Sequence, residues 1–244
     1  MATDSPRLIV KCKSFRIVSD PSVSLTRFVK PVALISICGD DVMRAFLILL
    51  FVVYSTTTYA QPKRLLLLGD SLSAAYNMQE QQGWVYLVQQ WLDTEQVPLT
   101  IINASISGET SAGGLARLPA LLEQHQPHYV LIELGGNDGL RGFAIPQLEH
   151  NLSQLIALSQ DAGAQALLMQ IRIPPNLGPR YTRQFEALYP TLAERYQLPL
   201  WPFFMEQIAL DDDLMLPDGI HPNREAQPLI KQQMKLWFAR LVGE

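Results

Sequence analysis

Five short apolar segments of strand length alternate along the chain with segments whose apolar residues have helical spacing. The predicted strands are Arg64–Leu68, Leu99–Asn103, Tyr129–Leu134, Ala166–Ile171 and Leu198–Pro202. The predicted helices are Gly83–Leu92, Ser111–Gln126, Gln147–Ala162, Arg180–Tyr196 and Ala226–Val242. Alternating strands and helices favour parallel βαβ units with right-handed crossovers. The pattern therefore predicts an α/β protein, a three-layer α/β/α sandwich around a mainly parallel five-stranded sheet.

The amino-terminal quarter of the 244-residue chain differs from the rest. Met43 and Arg44 precede ten apolar residues, Ala45–Tyr54, and small residues close the segment at Ala60. A basic start, a short apolar centre and small residues before a cleavage point are typical of a secretory signal peptide. Ten apolar residues are also too few to span a bilayer comfortably. We expect residues 43–60 to be a signal peptide cleaved after Ala60, with a retained amphipathic or anchoring segment as the alternative.

Residues 1–42 lie upstream of this predicted signal peptide and show no clear period. We interpret them as an over-extended or disordered leader, with Met43 as the true initiator; a long basic extension of the signal peptide is the alternative. Residues 61–244 then form a single domain that is periplasmic or secreted. Both cysteines, Cys12 and Cys38, lie in the leader. The mature domain is therefore expected to have neither a disulfide nor a thiol nucleophile, even in an oxidising compartment.

The charge pattern limits the classes of partner. The formal net charge is −4 and the sequence contains no basic stripe, so nucleic acid is not expected as a partner. An acidic chain is not attracted to anionic membrane surfaces, so we expect no stable membrane insertion after cleavage. The remaining expectation is a monomer that acts on a small molecule.

Three of the predicted strands end in polar or glycine-rich loops. Gly69-Asp70-Ser71-Leu72 follows the first strand, Asn103–Thr110 ends the second, and Gly135-Gly136-Asn137-Asp138 follows the third. In a doubly wound sheet these loops lie along one edge, where ligands bind. This placement makes the three loops candidates for a functional site.

The residue types in these loops suit acyl transfer. A serine hydroxyl becomes an effective nucleophile when a histidine accepts its proton and a carboxylate orients that histidine. Asp218 and His221 stand three residues apart, close enough in a turn for the carboxylate to meet one ring nitrogen while the other faces Ser71. The developing oxyanion needs donors held in place beforehand. The N–H groups of Ser71 and Gly108 and the side-chain amide of Asn137 are the candidates.

Each of these residues also fits a purely structural role. Ser71 alone is more typical of a turn or a helix N-cap, Gly108 of a turn with positive φ, and Asn137 of an Asx turn. Asp218 and His221 alone fit a surface turn or two metal ligands, but a metal needs at least a third ligand. Their joint occurrence, in order and at predicted loops, favours a catalytic site without a metal or a cofactor.

The chain resembles the SGNH-hydrolase family, also called the GDSL lipases and esterases. The resemblance covers nearly all of residues 64–238 and rests on four segments. These are Gly69-Asp70-Ser71-Leu72-Ser73, Gly108, Gly135-Gly136-Asn137-Asp138 and Asp218-Gly219-Ile220-His221-Pro222. The family fold is a flavodoxin-like three-layer α/β/α sandwich, which agrees with the alternation of predicted strands and helices.

The resemblance also implies roles for the matched residues. Ser71 would be the nucleophile, His221 the base and Asp218 its orienting carboxylate, with Gly108 and Asn137 lining the oxyanion hole beside the Ser71 N–H. The implied activity is hydrolysis of carboxylic esters and thioesters through a Ser71 acyl-enzyme, of the bacterial acyl-CoA thioesterase, lysophospholipase and arylesterase type. A non-catalytic acyl-chain or lipid carrier and a flavodoxin-like phosphate binder are the alternatives. Neither of these needs a base, so the Asp218–His221 pair argues against both.

An apolar groove for the acyl chain is expected over the same edge of the sheet. The candidate residues are Leu140, Ile173 and Leu177, and Ile106 is a further possibility. Ile173 and Leu177 belong to a proline-dense, apolar loop that suits an acyl chain better than a sugar. The alternative is that these two residues only cap the core. A shallow groove would accept several substrates, because each methylene contributes only about 1 kcal/mol of discrimination.

Overall fold

The computed structural model describes residues 61–243. The leader predicted at 1–42 and the signal peptide predicted at 43–60 lie outside the described residues. None of the helices between residues 61 and 243 is long and apolar enough to cross a membrane.

The described residues form strands, α-helices and short 3₁₀ helices. The strands are β1 (Lys63–Gly69), β2 (Leu99–Asn103), β3 (Tyr129–Glu133), β4 (Gln165–Met169) and β5 (Leu200–Trp201). The α-helices are α1 (Trp84–Thr94), α2 (Ser111–His125), α3 (Gly136–Leu140), α4 (Ile145–Asp161), α5 (Pro179–Tyr196) and α6 (Gln227–Gly243). The 3₁₀ helices are Glu80–Gln82, Pro175–Leu177, Ile208–Leu210 and Asp212–Leu214.

The five strands form one parallel sheet with the order β2-β1-β3-β4-β5. Leu65 of β1 lies opposite Ile101 of β2 on one side and Tyr129 of β3 on the other. Helix α1 packs against α6, and α2 packs against α4. This is the flavodoxin-like doubly wound order, whose ligand crevice lies between β1 and β3, where the direction of winding reverses. The predicted fold class is confirmed.

The core explains why the strands could be predicted from the sequence. Leu65, Leu66, Leu67 and Leu68 of β1 are completely buried, as are the central residues of β3. Parallel strands covered by helices on both faces contain continuous apolar runs instead of alternating ones. The four leucines of β1 are such a run, and they bring the chain out of the core at Gly69.

The strand at one edge of the sheet is shorter than predicted. Strand β5 contains only Leu200 and Trp201, although Leu198–Pro202 was expected. Pro199 and Pro202 flank this pair and have no N–H to donate to a neighbouring strand. The carbonyl oxygen of Pro199 still accepts a hydrogen bond from the N–H of Leu168, at 3.1 Å. The prolines therefore shorten the strand without detaching it from the sheet.

Helix α2 begins at Ser111, as predicted. Its N-cap is Thr110, whose hydroxyl accepts a hydrogen bond from the N–H of Gly113 at 3.2 Å. The Ser111 hydroxyl donates to Asp138, a partner far along the chain. A long-range partner of this kind cannot be recognised from local sequence.

Candidate active site

The structure brings Ser71, His221 and Asp218 into a continuous hydrogen-bonded chain. The Ser71 Oγ lies 2.8 Å from the His221 Nε2, and the His221 Nδ1 lies 2.7 Å from the Asp218 Oδ2. In the tautomer that has its proton on Nδ1, the ring donates to Asp218 and its Nε2 accepts from the Ser71 hydroxyl. These three residues come from the two ends of the described chain, and they meet as the sequence predicted.

The Asp218 carboxylate stabilises the conformation of the loop that contains Asp218 and His221. The Oδ1 atom accepts hydrogen bonds from the backbone N–H groups of Ile220 and His221, at 2.9 and 3.0 Å. Partial burial acts to raise the pKa of Asp218, but the hydrogen bonds from His221 and Ile220 outweigh it and lower the pKa from 3.8 to about 2. Asp218 is therefore ionised at neutral pH and able to orient the imidazole.

A tyrosine not identified from the sequence packs on the imidazole. The Tyr76 ring stacks on the His221 ring, with 4.0 Å between the centroids and 24° between the planes. Tyr76 lies in the turn that follows β1, five residues after Ser71. Stacking limits the rotation of the His221 ring and keeps its Nε2 toward Ser71. No local signal marked Tyr76, because only the fold brings these two loops together.

The three hydrogen-bond donors predicted for the oxyanion lie on the loops that follow β1, β2 and β3. Gly108 has a φ of +80°, a conformation that glycine adopts without strain. Neither the Ser71 N–H nor the Gly108 N–H donates to another residue within 61–243. Asn137 lies beside Ser71 in the same cavity wall and uses one amide N–H toward Asp70, at 3.1 Å. These are the donors that the sequence predicted for an oxyanion hole, and that role stays a prediction.

The short helix α3, which contains Asn137, is anchored through the next residue. The Asp138 carboxylate accepts hydrogen bonds from the Ser111 N–H at 2.8 Å and from the Ser111 hydroxyl at 2.6 Å. The side-chain amide of Asn151 in α4 donates to the same hydroxyl, at 2.9 Å. A glycine-rich loop was predicted here, but these buried contacts stabilise a helical turn whose glycines have low helix propensity.

Two buried carboxyl groups lie beneath the loop that contains Ser71, and neither was recognised in the sequence. Glu133 at the end of β3 is completely buried and accepts hydrogen bonds from the Ser73 hydroxyl at 2.8 Å and the Asp70 N–H at 3.3 Å. Burial, and then the negative charge of Asp70, raise the pKa of Glu133 well above 4.5. Burial also raises the pKa of Asp70 from 3.8 to about 6. Glu133 therefore keeps its proton to a higher pH in the folded protein than in the unfolded chain.

A cavity of about 820 Å³ opens beside Ser71, His221 and Asn137. Its apolar walls come from the loops after β3, β4 and β5, and they include Leu140, Ile173, Phe203, Met205, Leu210 and Met215. The cavity volume lies in the range typical of small-molecule sites, which are mostly apolar with a few polar groups that fix orientation. This cavity can hold an acyl chain with its carbonyl carbon at Ser71.

The predicted groove residues divide into two groups. Leu140 and Ile173 line the cavity, as expected. Leu177 does not line it: its side chain is 42% exposed and lies over Gly142. Ile106 is 48% exposed and also lies outside the lining. Both residues are on loops whose course was not predictable from local sequence.

Metal-ligating side chains are not grouped within the described part of the chain. Between residues 61 and 243, no three side chains of histidine, cysteine, aspartate or glutamate type lie close enough together to hold a metal ion.

A parallel α/β/α sandwich with a Ser–His–Asp chain and backbone donors at its carboxyl edge defines a serine hydrolase. The model of the GDSL-like lipase/acylhydrolase family matches residues 67–228. The chain belongs to this family, and the predicted resemblance is confirmed.

Characterised relatives agree with this assignment. The chain is 52% identical over 204 residues to thioesterase 1/protease 1/lysophospholipase L1 of Escherichia coli K12, covering 84% of this chain and 97% of that protein. It is 48% identical over 202 residues to an arylesterase of Vibrio mimicus, covering 83% of this chain and 96% of the relative. The crystal structure of the psychrotrophic esterase EstA from Pseudoalteromonas, inhibited by monoethylphosphonate, is also similar. It has a TM-score of 0.73 and 49% identity, and the match covers 75% of this chain and all of that one.

The buried Glu133 generates a prediction about stability and pH. We expect Glu133→Gln to gain stability relative to the wild type as the pH rises above 4.5. Because its pKa is raised in the fold, the wild-type carboxyl ionises at a lower pH in the unfolded state than in the folded state, so ionisation favours unfolding. The difference in the free energy of unfolding should grow by about 1.4 kcal/mol per pH unit, until the folded-state pKa is reached.

Denaturant unfolding of both proteins at pH 5, 6 and 7 measures this difference. A difference that stays constant over this range would contradict a raised pKa of Glu133 in the folded state.

Proposed function

We propose that this chain hydrolyses carboxylic esters and thioesters through a covalent acyl-enzyme on Ser71. The observation that supports this most directly is the hydrogen-bonded chain from the Ser71 Oγ through His221 to Asp218. The proposed reaction needs no cofactor, because these side chains supply the nucleophile, the base and the group that orients the base.

The geometry supports a two-step reaction. In the first step the Ser71 Oγ attacks the carbonyl carbon while the His221 Nε2 takes the hydroxyl proton. The N–H groups of Ser71 and Gly108 and the Asn137 amide stabilise the oxyanion. The intermediate collapses as the leaving alcohol or thiol takes the proton from His221, which leaves the acyl group on Ser71. Water then attacks this ester by the same path, releasing a carboxylic acid and restoring the serine.

The proposed substrates are acyl thioesters, lysophospholipids and aryl esters. The printed names of the E. coli and Vibrio relatives mention these activities, and this chain is about half identical to each relative. The apolar cavity walls can pack against an acyl chain, and they present few polar groups that would select one leaving group over another. Several leaving groups are therefore compatible with one acyl site.

Covalent labelling tests the proposed nucleophile. Incubation of the folded protein with a fluorophosphonate should add one phosphonyl group, which peptide mass spectrometry should locate on Ser71. The reagent forms a bond from the Ser71 Oγ to phosphorus as fluoride leaves. Ser71→Ala is the matched control and should remain unlabelled at the same thermal stability. An unlabelled wild type would refute the proposal and restore the carrier alternative.

The acyl site is tested by comparing two leucines at different distances from the cavity. Leu140→Ala should lower kcat/KM for long-chain p-nitrophenyl esters relative to short-chain ones by about 5–30-fold. This corresponds to about 1–2 kcal/mol of lost apolar contact. Leu177→Ala is the matched control, because this leucine lies outside the cavity and should leave the ratio unchanged. Equal effects of the two changes would place the acyl chain elsewhere.

We also propose that the chain is exported to the periplasm or secreted. The basic start, short apolar centre and small residues of 43–60 support this, because they are the features of a signal peptide. Expression of the full chain in a Gram-negative host should yield an extracytoplasmic protein whose amino-terminal residue is Gln61. Recovery of an unprocessed chain in the cytoplasm, starting at Met1 or Met43, would contradict export.

A further inference from the structure

The guanidinium of Arg141 lies against the loop that contains Gly108. Its Nη2 donates a hydrogen bond to the Gly108 carbonyl oxygen at 3.3 Å, and a Cβ at Gly108 would lie 4.0 Å from the same nitrogen. Arg141 directly follows α3, the short helix that contains Asn137. This cation is therefore adjacent to the backbone that is predicted to donate to the oxyanion.

The positive charge of Arg141 is not neutralised by a carboxylate. Arg141 forms no ion pair among residues 61–243, and Glu109, the acidic residue of the neighbouring loop, is paired with Arg117 at 2.7 Å. The Arg141 side chain is exposed, and one of its N–H groups bonds to Gly108. The other N–H groups of the guanidinium fork remain for a ligand. An anion from solution can therefore bind here.

Arg141 and Gly108 lie outside the cavity assigned to the acyl chain. Neither belongs to its walls, whereas Ser71, Asn137 and His221 do. The substituents of the tetrahedral carbon formed at Ser71 diverge from one another. An acyl chain inside the cavity therefore directs the leaving group out of it, toward the exposed loop after β2.

The cavity side of the site does not offer an equivalent cation. Arg172 lies in the cavity wall, but its guanidinium is paired with Glu206 at 3.2 Å. The acidic run of residues 211–213 directly follows Leu210, another wall residue, and is exposed. An anionic group is therefore disfavoured beside the acyl chain and favoured beside Arg141.

We propose that Arg141 is a specificity-determining residue that binds the phosphate of a glycerophosphodiester leaving group. In a lysophospholipid the phosphorus is only a few bonds from the ester oxygen, so the phosphate reaches Arg141 while the carbonyl carbon is at Ser71. Guanidinium–phosphate pairs are charge-assisted and often bidentate. This inference deepens the proposed hydrolysis and rests on it.

The other phosphate-containing substrate class differs in reach. In an acyl-CoA the phosphates stand at the far end of the pantetheine arm, well beyond the thioester sulfur. We therefore expect Arg141 to contact the phosphate of a lysophospholipid and not those of an acyl-CoA.

Matched substrates test the proposal. A lysophosphatidylcholine and a monoacylglycerol with the same short acyl chain contain the same ester and differ in the phosphocholine group; both are used below their micelle concentrations. Arg141→Gln removes the charge and retains N–H donors for Gly108. It should raise KM for the lysophospholipid about tenfold. The KM for the monoacylglycerol, and kcat for both substrates, should remain unchanged.

Arg180→Gln is the matched control. Arg180 is also exposed, but it lies in the first turn of α5 and outside the cavity walls. This change should leave KM for both substrates unchanged. A rise as large as that of Arg141→Gln would overturn the proposal, because the effect would then come from the net charge of the surface.

A second substrate pair distinguishes the source of the phosphate. An acyl-CoA and the acyl-pantetheine with the same acyl chain share the thioester and differ in the phosphates. Arg141→Gln should leave the ratio of their KM values unchanged. An effect confined to this pair would overturn the assignment to a glycerophosphodiester.

Two further outcomes would also overturn the proposal. Equal losses with the lysophospholipid and the monoacylglycerol would mean that Arg141 acts on the Gly108 loop and not on a phosphate. Unchanged KM values for both would mean that the phosphate is not bound at Arg141. Hydrolysis of the monoacylglycerol by the wild type, with fluorophosphonate labelling of Ser71, reports separately on the proposed function.

Discussion

The parallel pairing of β1 with β3 is the constraint on which the active site depends. This pairing places Gly69 opposite Glu133, so both strands end at the same level of the sheet. The loop after β1 then places Ser71 beside the loop after β3, which contains Asn137. The loop after β2 joins the same edge, because the Ile106 N–H donates to the Gly69 carbonyl oxygen at 3.1 Å. The His221 loop then has only to reach this edge for nucleophile, base and donors to meet.

The same pairing has a cost at the base of the site. It buries the Glu133 carboxyl beneath Gly69, and a Cβ at Gly69 would lie 2.7 Å from the Ser105 hydroxyl and would also collide with Glu133. The Glu133 Oε1 and the Ser105 Oγ are buried without a hydrogen-bond partner among the described residues. Buried polar groups of this kind lower stability. Both atoms lie directly below the Ser71 turn and the Asp70–Asn137 bond. The strand pairing that lowers stability here is therefore the same pairing that forms the site.

Predictions from the sequence succeeded where the physical signal is local. Buried parallel strands are continuous apolar runs, and β1 to β4 were recognised within two residues of their observed ends. Ser71, Gly108, Asn137, Asp218 and His221 were identified by type, order and position after predicted strands. The predictions failed where distant contacts decide the outcome. Helix α3 depends on the bond between Asp138 and Ser111, which are 27 residues apart in the sequence.

The sequence by itself determined the fold class, the residues capable of acyl transfer and the family, because strand periodicity, residue chemistry and spacing are local properties. Only the tertiary structure decided which side chains support that chemistry. Tyr76 stacks on His221, Asp70 holds the Asn137 amide, and Leu177 lies outside the cavity although Leu140 lines it. Each of these facts depends on how loops from separate strands meet at one edge of the sheet. Such a meeting is set by the packing of the whole domain, and no short segment of the chain encodes it.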